Sequence, residues 1–342
     1  MKAAVYYNNN DIRIEDVPMP KIRDNELLVK IEASGICGSD VMEWYRIKKA
    51  PLILGHEIAG TIVETGAGVD AKRFRDGDRV TVAHHVPCNT CKHCLNGNHS
   101  VCDMLRSTNF DPGGFTEFVR VPAVNVDRGV FRLPDSVSFE DGSFSEPLGC
   151  VVRALRACRM QPGKTMLVIG SGMSGVLFIK LARALGAGLI AATDVSQYRM
   201  DAAIRAGADV VFNAKDDVPA LLRKAFGGGA DIVVLSASRD SAIEQGLKSV
   251  ERAGAVIFFA PKQPGETYPL PLFDLWRDNV TIVNSYASPP YDTMTAIDLI
   301  ASGRLTVSDL ITHRLSLAEA GLGFRLVAQA GESMKVIIEP GR

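Results

Sequence analysis

The sequence is short of most features that would confine it to a specialised class. Its 38 lysines and arginines stand against 39 aspartates and glutamates, leaving a formal net charge of -1. That near-balance removes the electrostatic reason to expect nucleic acid or a membrane surface as a partner. No apolar run approaches the ~18 residues that a bilayer span requires. The first ten residues turn polar at Asn8, before the core of a signal peptide could form, so a cytoplasmic location is expected. No internal repeat, linker or low-complexity segment stands out. What remains is an average globular composition, 46% apolar and 23% charged, at a length of 342 residues that suits two domains.

Cysteine is not scarce, and its distribution is informative. Four of the seven, Cys88, Cys91, Cys94 and Cys102, form a Cys-x2-Cys-x2-Cys-x7-Cys run. Such density reads as a metal loop in a reducing compartment rather than a secreted disulfide framework. Zinc takes four thiolates tetrahedrally and then has no open position, so a structural site is expected, with His93 and His99 outside the shell. A nucleic-acid-binding zinc ribbon could share this spacing, but the charge balance argues against it.

The hydrophobic pattern changes along the chain. Up to about residue 150, short strand-like runs dominate, at 2–6, 27–32, 58–64 and 79–83. From 166 onward, strands at 166–169, 189–193, 210–212, 232–235 and 255–260 alternate with helices. The helices are expected at 172–185, 199–206, 218–226 and 242–250. That alternation implies an α/β fold with a parallel sheet covered on both faces. It ends near 287. A helix at 293–302 and a strand at 335–338 follow, and this last part is expected to return to the first domain.

At the start of the alternating region stands Gly170-Ser-Gly172-Met173-Ser174-Gly175, between a strand and a helix. Gly170 permits a tight turn, Gly172 lets backbone approach a pyrophosphate, and Gly175 lets the helix pack close to the sheet. The helix N-terminus adds N–H groups and a positive dipole end. Nineteen positions past Gly175, Asp194 ends the second strand, where a carboxylate can bind the adenosine ribose and repel a 2′-phosphate. NAD is therefore expected over NADP. A helix-capping aspartate would look the same. Arg199 lies beside the adenine in this reading, or else is a solvated first-turn residue.

A second metal constellation is Cys37-Gly-Ser39-Asp40 together with Gly55-His56-Glu57. A thiolate and an imidazole suit zinc, and a third protein ligand plus water would make a catalytic site. Glu57 and Glu146, the latter in Ser145-Glu-Pro-Leu, are both candidates for that third position. Taken singly, Cys37 and His56 could equally be a buried thiol and a core histidine.

Together these motifs resemble the zinc-dependent medium-chain dehydrogenases of the alcohol dehydrogenase superfamily. Gly55-His56-Glu57-x-x-Gly60-x5-Gly66-x-x-Val69, Gly77-Asp78-Arg79-Val80, the four-cysteine lobe and Glu146-Pro147-Leu148 all occur in family order. The likeness spans essentially the whole chain and is greatest to the branch with sorbitol and threonine dehydrogenases. It implies a GroES-like catalytic domain from residues 1–150 and 288–342, with a structural-zinc lobe at 86–104. A Rossmann NAD-binding domain would occupy 151–287. It further implies two zinc ions per chain and a homodimer or homotetramer. Cys37 and His56 would be catalytic zinc ligands, with Glu57 and Glu146 as the third ligand and a carboxylate near the metal. Asp40 would hold the His56 ring, Ser39 would bond the substrate hydroxyl, and Lys335 would approach the cofactor pyrophosphate.

The chain departs from the family at Met42, where many relatives carry a proton-relaying histidine, and in a short segment from Asp40 to Pro51. The expected reaction is hydride transfer from a secondary alcohol, a polyol or sugar alcohol, to NAD, giving a ketone. A threonine-type or simple secondary-alcohol dehydrogenase is the alternative. A non-catalytic zinc- and NAD-binding protein would have no need of an open metal position.

Overall fold

A strand with one fully buried face anchors the first part of the chain. In Leu27–Gly35 the residues Leu27, Val29, Ile31 and Ala33 are all fully buried, and the strand pairs with neighbours on both sides, so it sits inside its sheet rather than at an edge. The computed structural model describes every residue from Met1 to Arg342. Two compact units result, one from Met1–Gly149 with Ala287–Arg342, the other from Cys150–Tyr286.

The first unit is built on a seven-stranded sheet. Its order is Ile311–Ser316, Lys335–Glu339, Leu27–Gly35, Glu57–Thr65, Arg79–Val82 and Val130–Arg132, and Phe118–Val121 also pairs with Leu27–Gly35. The C-terminal strand therefore pairs with an N-terminal one, Ile337 opposite Gly35. A small sheet of Asp11–Asp16, Lys2–Asn8 and Leu52–Ile53 completes the unit.

The second unit carries six parallel strands in the order Val210–Asn213, Ile190–Asp194, Met166–Ile169, Ala230–Leu235, Val250–Phe258 and Thr281–Asn284. Met166 to Val168 are fully buried, as a strand covered on both faces must be. The expected α/β architecture with a parallel sheet is observed. Helices Met173–Ala184, Gln197–Arg205, Val218–Phe226 and Asp240–Ser249 lie close to their expected positions. One boundary differs: Val250, expected to close a helix, opens the strand Val250–Phe258. No helix is long and apolar enough to cross a membrane.

Candidate metal centres and dinucleotide loop

Two adjacent antiparallel strands assemble the first metal centre. Gly35, the last residue of Leu27–Gly35, lies opposite Glu57, the first of Glu57–Thr65. Cys37 follows the one strand by two residues and His56 precedes the other by one. Sheet register alone thus brings together residues far apart in sequence. One ligand atom from each of Cys37, His56 and Glu57 lies within 4.8 Å of the others. Glu146, in the first turn of Ser145–Ala157, is not part of this three-residue cluster.

Asp40 is fully buried and organises the loop. Its Oδ2 accepts the Cys37 N–H at 3.0 Å, and its Oδ1 lies 3.3 Å from His56 Nδ1. That contact orients the imidazole and leaves its other nitrogen for a metal, the usual arrangement of a carboxylate behind a histidine ligand. Burial disfavours charge on His56, but Asp40 and Cys37 outweigh it and hold the imidazole pKa well above its ordinary value. A metal binding there displaces that proton. Ser39 Oγ is 3.4 Å from Cys37 Sγ, one residue from the cluster.

Lys335 has a partner that the sequence did not show. Its ammonium is bonded to Glu57 Oε2, both side chains are 1% exposed, and the cation lies 5.4 Å over the Phe144 ring. It neutralises a carboxylate of the metal cluster, and leaving Glu57 would bury an unpaired charge. Gly35 makes the contact possible, since a Cβ there would overlap the Glu57 carboxylate and the end of Lys335.

Two side chains at this centre were not legible in the sequence. Arg46, from the short helix Glu43–Arg46, donates from Nε to Ser39 O at 3.0 Å and from Nη2 to Ser39 Oγ at 3.1 Å. His84 packs its ring 4.9 Å from His56 and 3.8 Å from His85, and its buried Nδ1 has no partner. Burial, then the neighbouring positive charges, pushes its pKa well below the ordinary value. Neither residue belongs to a local motif. The one available signal was an arginine seven residues after Ser39.

The second centre holds Cys88, Cys91, Cys94 and Cys102, whose sulfurs also lie within 4.8 Å of one another. Cys88 Sγ and Cys91 Sγ are 3.9 and 3.6 Å from Cys94 Sγ. Zinc–thiolate bonds of about 2.3 Å in a tetrahedron place sulfurs about 3.8 Å apart, so this donor set fits zinc. The N–H groups of Thr90 and Cys91 point at Cys88 Sγ, 3.4 and 3.2 Å away, and lower its pKa to about 5. Burial and the adjoining thiols push Cys94 up to about 12. Four such groups cannot all ionise without a cation among them.

In the second unit, Gly170 takes φ +91° and Gly172 caps the helix Met173–Ala184, so the loop Gly170–Gly175 joins strand to helix as its glycines require. Asp194 Oδ2 accepts the Ser171 N–H at 2.9 Å and Oδ1 accepts the Ser196 N–H at 3.0 Å. The aspartate therefore ties the glycine loop to the end of its own strand. Arg199 brings Nη1 within 3.6 Å of where a Cβ on Gly172 would stand, and its buried Nε has no partner. An orphaned guanidinium N–H beside a glycine loop and a helix N-terminus fits a dinucleotide with its phosphates. Met173 and Ser174 form the first turn of that helix.

Comparison with known proteins agrees with this geometry. The alcohol dehydrogenase GroES-like domain matches residues 23–135, and the zinc-binding dehydrogenase family matches residues 175–302. The sorbitol dehydrogenase of Bacillus subtilis is 32% identical over 100% of this chain and 98% of its own length. The L-threonine 3-dehydrogenase of Bacillus velezensis is 33% identical over 99% of both chains. Among solved structures, the galactitol-1-phosphate dehydrogenase of Escherichia coli superposes with a TM-score of 0.85 at 28% identity, over 99% of this chain and 100% of that one. The chain belongs to the zinc-binding, GroES-like alcohol dehydrogenase family, in the branch that holds the sorbitol and threonine enzymes.

Proposed function

We propose that this chain oxidises a secondary alcohol to a ketone with NAD, through a catalytic zinc held by Cys37, His56 and Glu57, and that a structural zinc is held by Cys88, Cys91, Cys94 and Cys102. The convergence of Cys37, His56 and Glu57 at the ends of two paired strands carries this reading. When bound, zinc supplies a Lewis acid that acidifies the alcohol, and the nicotinamide accepts the hydride. The chain's own residues do the positioning. Asp40 holds His56, Lys335 neutralises Glu57, and Ser39 Oγ accepts the substrate hydroxyl proton. Family likeness supports a role for Glu146 near the metal.

In the second unit Gly170, Gly172 and Gly175 admit the pyrophosphate. Asp194 binds the adenosine ribose and disfavours a 2′-phosphate, and Arg199 flanks the adenosine. The substrates named for the relatives, sorbitol and threonine among them, make polyols and hydroxylated acids the classes to try first. Four thiols holding a metal suit a reducing compartment such as the cytoplasm. A homo-oligomer, dimer or tetramer, is part of this reading. NADH formation across polyols, hydroxy and amino acids, and simple secondary alcohols, with zinc measured in the same samples, tests it. Zinc-replete protein that oxidises no alcohol would refute it.

A further inference from the structure

Arg46 has more donors than the protein uses. A guanidinium offers five N–H groups. Nε bonds Ser39 O, and Nη2 bonds Ser39 Oγ with Asp40 Oδ1 at 3.5 Å, while Nη1 has no acceptor within the chain. The side chain is only 16% exposed, the two bonds to Ser39 hold it in place, and the Tyr45 ring lies 4.6 Å away. Its one carboxylate neighbour is already committed, because Asp40 also accepts the Cys37 N–H and faces His56. The chain around it does not supply a counter-charge either. Arg46, Lys48 and Lys49 lie within four residues that contain no acidic side chain, and Glu43 is the nearest one in sequence. The flanking histidines, His84 and His85, carry no negative charge to offset it.

A fixed, partly desolvated guanidinium edge next to the serine that takes the substrate hydroxyl is poorly matched to a neutral polyol. It is well matched to a carboxylate or phosphate oxygen, which makes charge-assisted hydrogen bonds with arginine. We propose that Arg46 binds an anionic group of the substrate, so that the alcohol oxidised is a hydroxy acid or a phosphorylated polyol with its anion close to the carbinol. This rests on the dehydrogenase reading above and specifies its substrate class. The basic stretch from Arg46 to Lys49 would also draw anions toward the site. A purely structural Arg46 would brace the Cys37–Asp40 loop and show no preference for charge.

The test uses zinc-replete enzyme at saturating NAD on matched substrates: D-glucitol, D-gluconate and D-glucitol 6-phosphate. The expected result is a kcat/KM for at least one anion about 10²-fold or more above that for D-glucitol, the scale of a charge-assisted pair. Which anion is favoured separates carboxylate from phosphate. Arg46→Gln keeps a donor for Ser39 and removes the charge. It should lower the anion-to-neutral ratio at least tenfold, through KM for the anion, and Arg46→Lys should restore part of it. A preference for D-glucitol, or a ratio that Arg46→Gln leaves unchanged, overturns the proposal, as does a loss confined to KM for NAD. Calorimetric titration with tartronate, a hydroxy diacid, in the presence of NADH reads the same contact without turnover. Binding weakened tenfold or more in Arg46→Gln supports the anion site, and equal binding overturns it. If no substrate is oxidised by zinc-replete protein, the dehydrogenase reading fails, while the titration still decides the role of Arg46.

Discussion

Ser39 can take a proton from the alcohol only if it can pass its own onward. Arg46 donates to Ser39 Oγ, and an arginine stays protonated, so it cannot be the next acceptor. With Met42 where relatives keep histidine, the remaining route is a cofactor ribose hydroxyl or water. Ser39→Ala should therefore cost about 10²-fold or more in turnover, the usual scale for a positioned proton-transfer group, with zinc content and NAD affinity retained. Met42→His should change much less. A Ser39→Ala variant with full zinc and turnover within about threefold of the parent, too small a loss for such a group, would exclude it from the relay. Asp194 carries a second expectation. Asp194→Ala should raise KM for NAD and narrow the preference over NADP, since it removes the repelling charge and also frees the Ser171 N–H of the glycine loop. Equal kcat/KM of the parent with both cofactors would count against its role. Cys37, His56 and Asp194 were legible because each sits in a short motif with fixed spacing. The Lys335–Glu57 pair was not legible, because the two lie 278 positions apart and no local pattern shows which charge a lysine meets.

Whole elements were legible in proportion to how evenly they are buried. Parallel strands such as Met166–Ile169 and Ala230–Leu235 are covered on both faces and stand out as apolar runs between helical periods. In the first unit, Ile311–Ser316 mixes threonine, histidine and arginine and buries just two of six residues, so its sequence does not announce a strand. The helix Ala320–Gln329 hides behind Gly321 and Gly323, poor helix formers. Gly323 is explained by packing, since a Cβ there would come 2.7 Å from Ile36 Cδ1. The four-cysteine lobe is the opposite case, legible from spacing alone. It has little regular structure of its own, two short helices Lys92–Leu95 and Asp103–Ser107, and a small buried cluster around Cys94, Cys102 and Leu105. Such an element depends on its metal for stability. The parent should contain two zinc ions per chain by elemental analysis, and Cys88→Ser should contain one, with a lowered melting temperature. A single zinc in carefully prepared parent protein, or an unchanged melting curve in the variant, would contradict this.

At the scale of the molecule, the second unit leaves an apolar patch exposed. Leu272, Phe273 and Trp276, on the helix Leu272–Arg277, are 70%, 67% and 77% exposed. Close by in sequence, Thr281–Asn284 is the last strand of the parallel sheet and pairs on one side only, with Val250–Phe258. Open strand edges and clustered exposed aromatics both invite association, and soluble proteins ordinarily cover them. Covering them with a second copy of this chain accounts for both at once, and it agrees with the homo-oligomer proposed above. Light scattering coupled to size exclusion at micromolar protein should therefore give a dimer or tetramer of the 36.9 kDa chain. Trp276→Glu places a charge in the centre of the apolar patch, where burial against another copy would cost several kcal/mol unless it were paired. It should shift the population toward monomer, while zinc content, which depends on ligands in the first unit, stays at the parent level. A monomeric parent would remove the oligomer from this account. An unchanged assembly in Trp276→Glu would move the interface away from this helix.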